Sequence, residues 1–275
     1  MIKKHFLKIS AVMVIAVMML GVVSMIPVSA QKPEKEPVDK VVFIHYPKKF
    51  ENRPDITGVR LENANGKPNK TINCPDPNTC SDYKYSGIRW ATMPVHYVID
   101  ATNKNGISAS SVKTAIEKGF SSWSAVDPTA TFIDDNSNAA ILGDPTTSRD
   151  NLNSALFRDM SAKYPNALAV TFVWYARFTK RIVETDTVFN EGFNWSYTDP
   201  STVLLNGLYG DYGSTGLSTY DIGNIAIHEQ GHWLMLNDLY NSRDTELTMY
   251  GYGAPAEMKK ISLGLGDKLG ILKIY

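Results

Sequence analysis

The stretch AIHEQGHWLMLNDLY, residues 226–240, sets His228 and His232 four positions apart, with Glu229 beside the first and Asp238 six positions beyond the second. On a helix, residues four apart share one face, with Cβ atoms roughly 5–6 Å apart. The two imidazoles could therefore be offered to one divalent ion. Glu229 would point beside that ion rather than at it, where a carboxylate can hold a water and accept its proton. That is the chemistry of peptide-bond hydrolysis at zinc, an ion that suits imidazole and lowers the pKa of its water to about 7. The competing reading is an ordinary buried helix with two histidines and a solvated glutamate. Ile222, Ile225 and Ala226 precede the motif at helical spacing, which argues for a half-buried helix. Buried imidazoles and carboxylates need partners, and a metal supplies them.

A catalytic zinc usually keeps three protein ligands and one open position. The chain has five histidines. His5 lies in the leader, His45 in an N-terminal extension and His96 on an upstream predicted strand, and none follows His232. A downstream third ligand must then be a carboxylate: Asp238, Asp244, Glu246 or Glu257. An unbroken helix would carry Asp238 about 15 Å along the axis from His228, so the helix must stop and the chain must turn back. WLMLND contains no glycine, which leaves Asn237 as the residue most tolerant of a left-handed turn.

The elements that must position this motif are legible in the patterning. MPVHYVID (93–100) reads as a strand. SASSVKTAIEKGFSSWSAV carries Val112, Ala115, Ile116, Gly119, Phe120 and Trp123 at three- and four-residue spacing, the apolar face of a helix capped by Ser108. ATFID (130–134) is a short strand, followed by a polar loop through residue 151. ALAVTFVWYA (167–176) suits a buried strand. RIVETDTVFN (181–190) alternates β-branched residues with charges, as a more exposed strand does, and FTKR between them is a hairpin turn. The motif helix starts near Thr219 or Tyr220 after a loop rich in glycine and tyrosine, and GDKLGILKIY closes the chain as a helix.

The N-terminus has another logic. Residues 1–30 combine a basic start (Lys3, Lys4, Lys8), an apolar run from Ala11 to Ile26 and small residues up to Ala30, the layout of a secretory signal peptide. The run of about sixteen residues is short for the ~20 that span a bilayer, so membrane anchoring applies only if this segment stays uncleaved. Residues 31–86 are rich in proline, asparagine and lysine and read as a poorly structured extension, a candidate pro-segment, although VVFIHY (41–46) could be a strand. The main domain then covers 87–275. Lys plus Arg equals Asp plus Glu at 28 each, which leaves no electrostatic footprint for nucleic acid. The two cysteines, Cys74 and Cys80, flank a tight Pro- and Asn-containing loop that one disulfide could close.

HEQGHWLMLND resembles the metzincin zinc motif, and TMYGYG (248–253) resembles the turn that places a methionine under the zinc. Within that group the chain is most similar to matrixin-like secreted peptidases. IRWATMPVHYVID resembles their opening strand, VKTAIEKGFSSWSAV with Trp123 their first helix, and ALAVTFVWY with IVETDTVFN two late strands. The resemblance covers roughly 87–275 and implies an α+β, metzincin-like zincin fold: a twisted, mixed, mostly parallel sheet with one antiparallel edge strand, backed by an active-site helix and the Met-turn. It implies His228, His232 and Asp238 as zinc ligands, an aspartate variant of the snapalysin type, with Glu229 as general base and Met249 beneath the ion. The implied partner is a protein or peptide substrate lying along IVETDTVF. Met235 stands where the family carries glycine. The family's zinc-blocking cysteine motif is absent, so a switch at Cys74 or Cys80 is the lesser reading beside a simple disulfide. Glu184 and Asp186 read as solvated strand positions; a structural Ca2+ there is compatible but not indicated. Oligomeric state is not legible. The alternative function is an inactive secreted or surface-anchored binding module on the same fold.

Overall fold

The computed structural model describes residues 36–51, 76–135, 143–199 and 218–275. Residues 1–30, read above as a signal peptide, and Cys74 lie outside the described residues. Among these residues nine strands appear: β1 (Val38–Pro47), β2 (Val95–Asp100), β3 (Phe132–Asp134), β4 (Ser154–Arg158), β5 (Ala169–Ala176), β6 (Arg181–Asn190), β7 (Trp195–Ser196), β8 (Tyr220–Asp221) and β9 (Tyr252–Gly253). Three α-helices accompany them: α1 (Ala109–Val126), α2 (Ile222–Trp233) and α3 (Leu265–Ile274). No described helix is long and apolar enough to cross a membrane.

The main sheet has the order β3-β2-β4-β6-β5-β1-β9. β5 runs against both of its neighbours, and the other pairings are parallel. The α+β architecture expected from the sequence is present. One face of the sheet carries α1 and α2. Val95, Tyr97 and Ile99 of β2 meet Ile116 and Phe120 of α1 and Ile225 and Trp233 of α2 in one cluster. The apolar face read for α1 is the one buried: Val112, Ala115, Ile116, Gly119, Phe120 and Trp123. Its N-cap is Ser108, whose side chain accepts from the Ser111 amide, satisfying a donor that the first helical turn leaves open.

Three expectations change. The extension is not unstructured where it is described: β1 is ten residues long and sits inside the sheet, and Glu36 to Tyr275 cluster as one compact unit. The reason lies in its own alternation. Val41 and Phe43 pack toward α2 with Met235, while Ile44 and Tyr46 pack on the opposite face with Val170 and Phe172. β6 is not near any edge, since β4 and β5 flank it, so it cannot take up a substrate strand. And Glu184 and Asp186 are not solvated, being 1% and 2% exposed. Glu184 accepts the Asp150 and Asn151 amides, and Asp186 accepts the Ser154 hydroxyl. β4, whose five residues SALFR are too few for a periodic signal, is an element the sequence does not announce.

Candidate metal centre

α2 starts at an aspartate cap: Asp221 Oδ1 accepts from the Asn224 amide. Its inner face lies against α1, where Trp123 Nε1 donates to the Ile227 carbonyl at 2.9 Å. The helix ends in a Schellman turn. The Leu236 amide donates to the Gly231 carbonyl and the Met235 amide to the His232 carbonyl, with Met235 left-handed at φ 64°. This is the turn that glycine usually makes, made here by methionine; Asn237 does not make it. The strain of a left-handed methionine, roughly 1–2 kcal/mol, is offset by its side chain, which is fully buried among Val41, Phe43, Ile88, Val173 and Ile182.

The reversal brings Asp238 back over the helix. Asp238 Oδ1 lies 3.1 Å from His228 Nε2 and 3.4 Å from His232 Nε2, and the two Nε2 atoms are 3.1 Å apart. Ligands about 2.0–2.1 Å from a tetrahedral zinc stand about 3.3 Å from one another. The three donors therefore fit one such ion. The other ring nitrogens are committed: His228 Nδ1 faces the Thr248 carbonyl and His232 Nδ1 the Leu236 carbonyl, each at 2.7 Å. An N–H donated to a carbonyl fixes the tautomer and leaves each Nε2 lone pair free for a metal. The turn that replaces the family glycine thus also orients His232.

Burial presses on every group here. It pushes His228 down to about 3, with Lys260 adding to the effect. Burial also works against a charged His232, but the Asp238 carboxylate outweighs it and holds that ring above its ordinary value. Asp238, opposed by burial, is held far below the carboxylate range by the two imidazoles.

Glu229 is fully buried, and burial raises it to about 7. A directed chain of hydrogen bonds fixes one of its oxygens. Trp233 Nε1 donates to Thr187 Oγ1, the Thr187 and Thr171 hydroxyls are 2.7 Å apart, and Thr171 Oγ1 donates to Glu229 Oε2 at 2.7 Å. The other oxygen, Oε1, lies 3.1 Å from His45 Nδ1.

Met249, at 1% exposure, lies under α2, where a methyl group on Gly231 would come within 2.2 Å of its sulfur. The amides of Thr248 and Met249 are held by the buried Asp267 carboxylate of α3.

The other carboxylates considered as ligands lie elsewhere. Glu257 accepts the Ala254 amide, Glu246 pairs with Lys259, and Asp244 groups with Cys80 and Asp82. Cys80 is disulfide-bonded and so offers no thiolate.

What the sequence did not bring to the centre is β1. It pairs antiparallel with β5, His45 opposite Ala169 and Phe43 opposite Thr171. The Phe43 ring stacks on His232 at 4.0 Å, and the His45 ring meets the edge of His228 at 4.0 Å. Two-residue periodicity put Val41, Phe43 and His45 on one face, but nothing local said which surface that face would cover.

The family model for matrixin matches residues 89–275. No curated protein matches the chain. The mixed sheet, motif helix and methionine turn accord with the metzincin-like fold of that family.

Proposed function

The chain belongs to the matrixin family, and from that membership we propose that it is an exported zinc endopeptidase, made latent by its own N-terminal strand. The observation that carries the metal centre is the triangle of His228 Nε2, His232 Nε2 and Asp238 Oδ1, with edges of 3.1, 3.1 and 3.4 Å. A zinc ion held there supplies a Lewis acid and a water of lowered pKa.

The chain's own residues do the rest. His228, His232 and Asp238 would hold the ion. Glu229 takes the proton of the attacking water at Oε1 and later returns it to the leaving amine, a role suited to a carboxyl raised toward neutrality. Thr171 keeps Oε2 fixed, so that a single oxygen faces the reaction. Met249 supports the ligand helix from below. A peptide substrate lies extended along β5, whose outer edge is otherwise open to strand addition.

β1 now fills that edge, in the antiparallel direction, and His45 occupies Oε1 of the base. On this ground we take the part of residues 31–86 that carries β1 as the pro-segment, whereas Pro77, Cys80 and Lys84 accept backbone amides of Leu265, Gly266 and Asn237 and stay with the domain; residues 1–30 we take as the signal peptide on the layout of the sequence.

The test is zinc analysis of the full chain together with peptide hydrolysis before and after a cut between residues 51 and 76. One zinc per chain and activity that appears on cutting support the reading. Glu229→Ala should then retain zinc and lose hydrolysis. A zinc-loaded, cut chain that cleaves no peptide would make the protein a binding module on the peptidase fold.

A further inference from the structure

Lys260 is an unusual neighbour for a metal centre. Its side chain is fully buried. Its hydrogen-bond partners among the described residues are the Tyr250 carbonyl and the His45 ring, whose Nε2 lies 3.4 Å from Nζ. An ammonium carries three donors and no lone pair, so the ring atom facing it is the acceptor nitrogen. With Nε2 accepting, Nδ1 is the nitrogen that carries the proton, and it faces Glu229 Oε1 at 3.1 Å, while the ring also bonds the Tyr252 backbone. Burial lowers Lys260 to about 8, with Glu257 opposing the shift.

His45 thus plugs a socket. One wall is the His228 ring and the Glu229 carboxylate of α2. Another is Gly253 of β9, where an added methyl group would lie 3.1 Å from His45 Nε2, 3.0 Å from Ile225 and 3.3 Å from Leu168. Lys260 forms the floor. A buried donor left without an acceptor costs more than its hydrogen bond gains when made. The socket is therefore built for a side chain that ends in an acceptor.

Resting on the peptidase reading above, we propose that this socket is the specificity pocket of the cleft and that Lys260 is its selecting residue. It favours substrates with glutamate or glutamine at the position that His45 imitates, over aliphatic residues. A purely apolar side chain would remove one of the buried ammonium's two hydrogen-bond partners among the described residues and leave it the Tyr250 carbonyl alone. Glutamate neutralises it, and glutamine repeats the donor and acceptor pair of the imidazole. A site built around a hydrogen bond discriminates strongly against analogues that lack it, so the preference should be at least about tenfold.

The test is made in the full chain, with β1 as the ligand. His45→Gln and His45→Leu are compared with Lys260 in place and in the Lys260→Met background, and the readout is hydrogen exchange of the β1 amides. With Lys260 the glutamine variant should protect β1 at least about tenfold better than the leucine variant, and Lys260→Met should erase or reverse that order. Lys260→Gln, which restores a donor, should recover part of it. Better protection by leucine with Lys260 present, or an order indifferent to residue 260, overturns the proposal, and the first comparison stands even if Lys260→Met fails to fold. In a second arm, the zinc-loaded chain nicked between residues 51 and 76 is offered peptides based on VDKVVFIHYP with Glu, Gln or Leu in place of the histidine. Cleavage without the Glu and Gln preference defeats the pocket assignment and leaves the peptidase reading standing. Coupling in the exchange experiment with no cleavage of any peptide keeps the pocket's selectivity and defeats the peptidase reading.

Discussion

His45 Nδ1 stands 3.1 Å from Glu229 Oε1, although 184 residues separate the two in sequence. The contact joins a residue of the N-terminal extension to the carboxylate placed to act as base. It predicts latency. The full chain should hydrolyse peptides far more slowly than the chain cut between residues 51 and 76, and His45→Ala with Phe43→Ala should raise the activity of the uncut chain. Initial rates on a peptide library check this. Equal rates for the cut and uncut forms would remove the inhibitory role of β1.

The third ligand is tested by affinity rather than by rate. Asp238 lies within 3.4 Å of both imidazole Nε2 atoms, whereas Glu257 is engaged by the Ala254 amide. Asp238→Ala should weaken zinc binding by more than the 10–100-fold or so typical of residues outside the ligand shell. Glu257→Ala should leave it within a few-fold, and Asp238→His should retain binding, since imidazole is an equally good zinc donor. Competition with a chromophoric chelator measures all three. Zinc lost only in the Glu257 variant would contradict the assignment.

Beneath the ligands, the closeness of Gly231 and Met249 predicts steric sensitivity. A β-carbon at residue 231 would meet the Met249 sulfur at 2.2 Å and Trp123 at 3.0 Å. Gly231→Ala should destabilise the chain by about 1–3 kcal/mol, the usual cost of overpacking, while Met249→Leu, which conserves volume, should cost less than about 1.5 kcal/mol. Urea unfolding of the metal-free protein separates these outcomes. A neutral Gly231→Ala would mean that Met249 moves aside freely.

Away from the centre, Asp186 sets a pH dependence. Burial raises it to about 8, against an ordinary value of 3.8, despite the Ser154 hydroxyl. A carboxyl raised in the folded state contributes stability that is complete below its unfolded value and is lost as pH rises through the folded one. Asp186→Asn removes that dependence and keeps an acceptor for Ser154. Relative to the parent, the variant should gain stability progressively from about pH 4 to about pH 8, by a few kcal/mol in all. Denaturation midpoints at pH 4, 6 and 8.5 test the sign; a gap between variant and parent that does not widen with pH would show that Asp186 is ionised in the fold.

The spacing of His228 and His232 was sufficient to read their shared helix face, because the α-helix converts a four-residue interval into one face with no help from the rest of the chain. The apolar stripe of α1 and the hairpin at 177–180 were legible for the same reason: period and turn chemistry are local. What lay beyond the sequence was each contact that depends on chain reversal or long-range pairing. The left-handed turn fell at Met235 rather than Asn237, because tertiary burial of the methionine side chain outweighs an intrinsic backbone preference. β6, read from its alternation as the strand nearest a substrate, lies inside the sheet between β4 and β5, because strand order is set by the whole sheet and not by the alternation within one strand. His45 and Lys260, 215 positions apart, carry no mutual signal in the sequence. β1 brings them together only because its two apolar faces find complementary surfaces on both sides of the sheet, and this packing, rather than any motif, sets His45 and Phe43 against the candidate metal ligands.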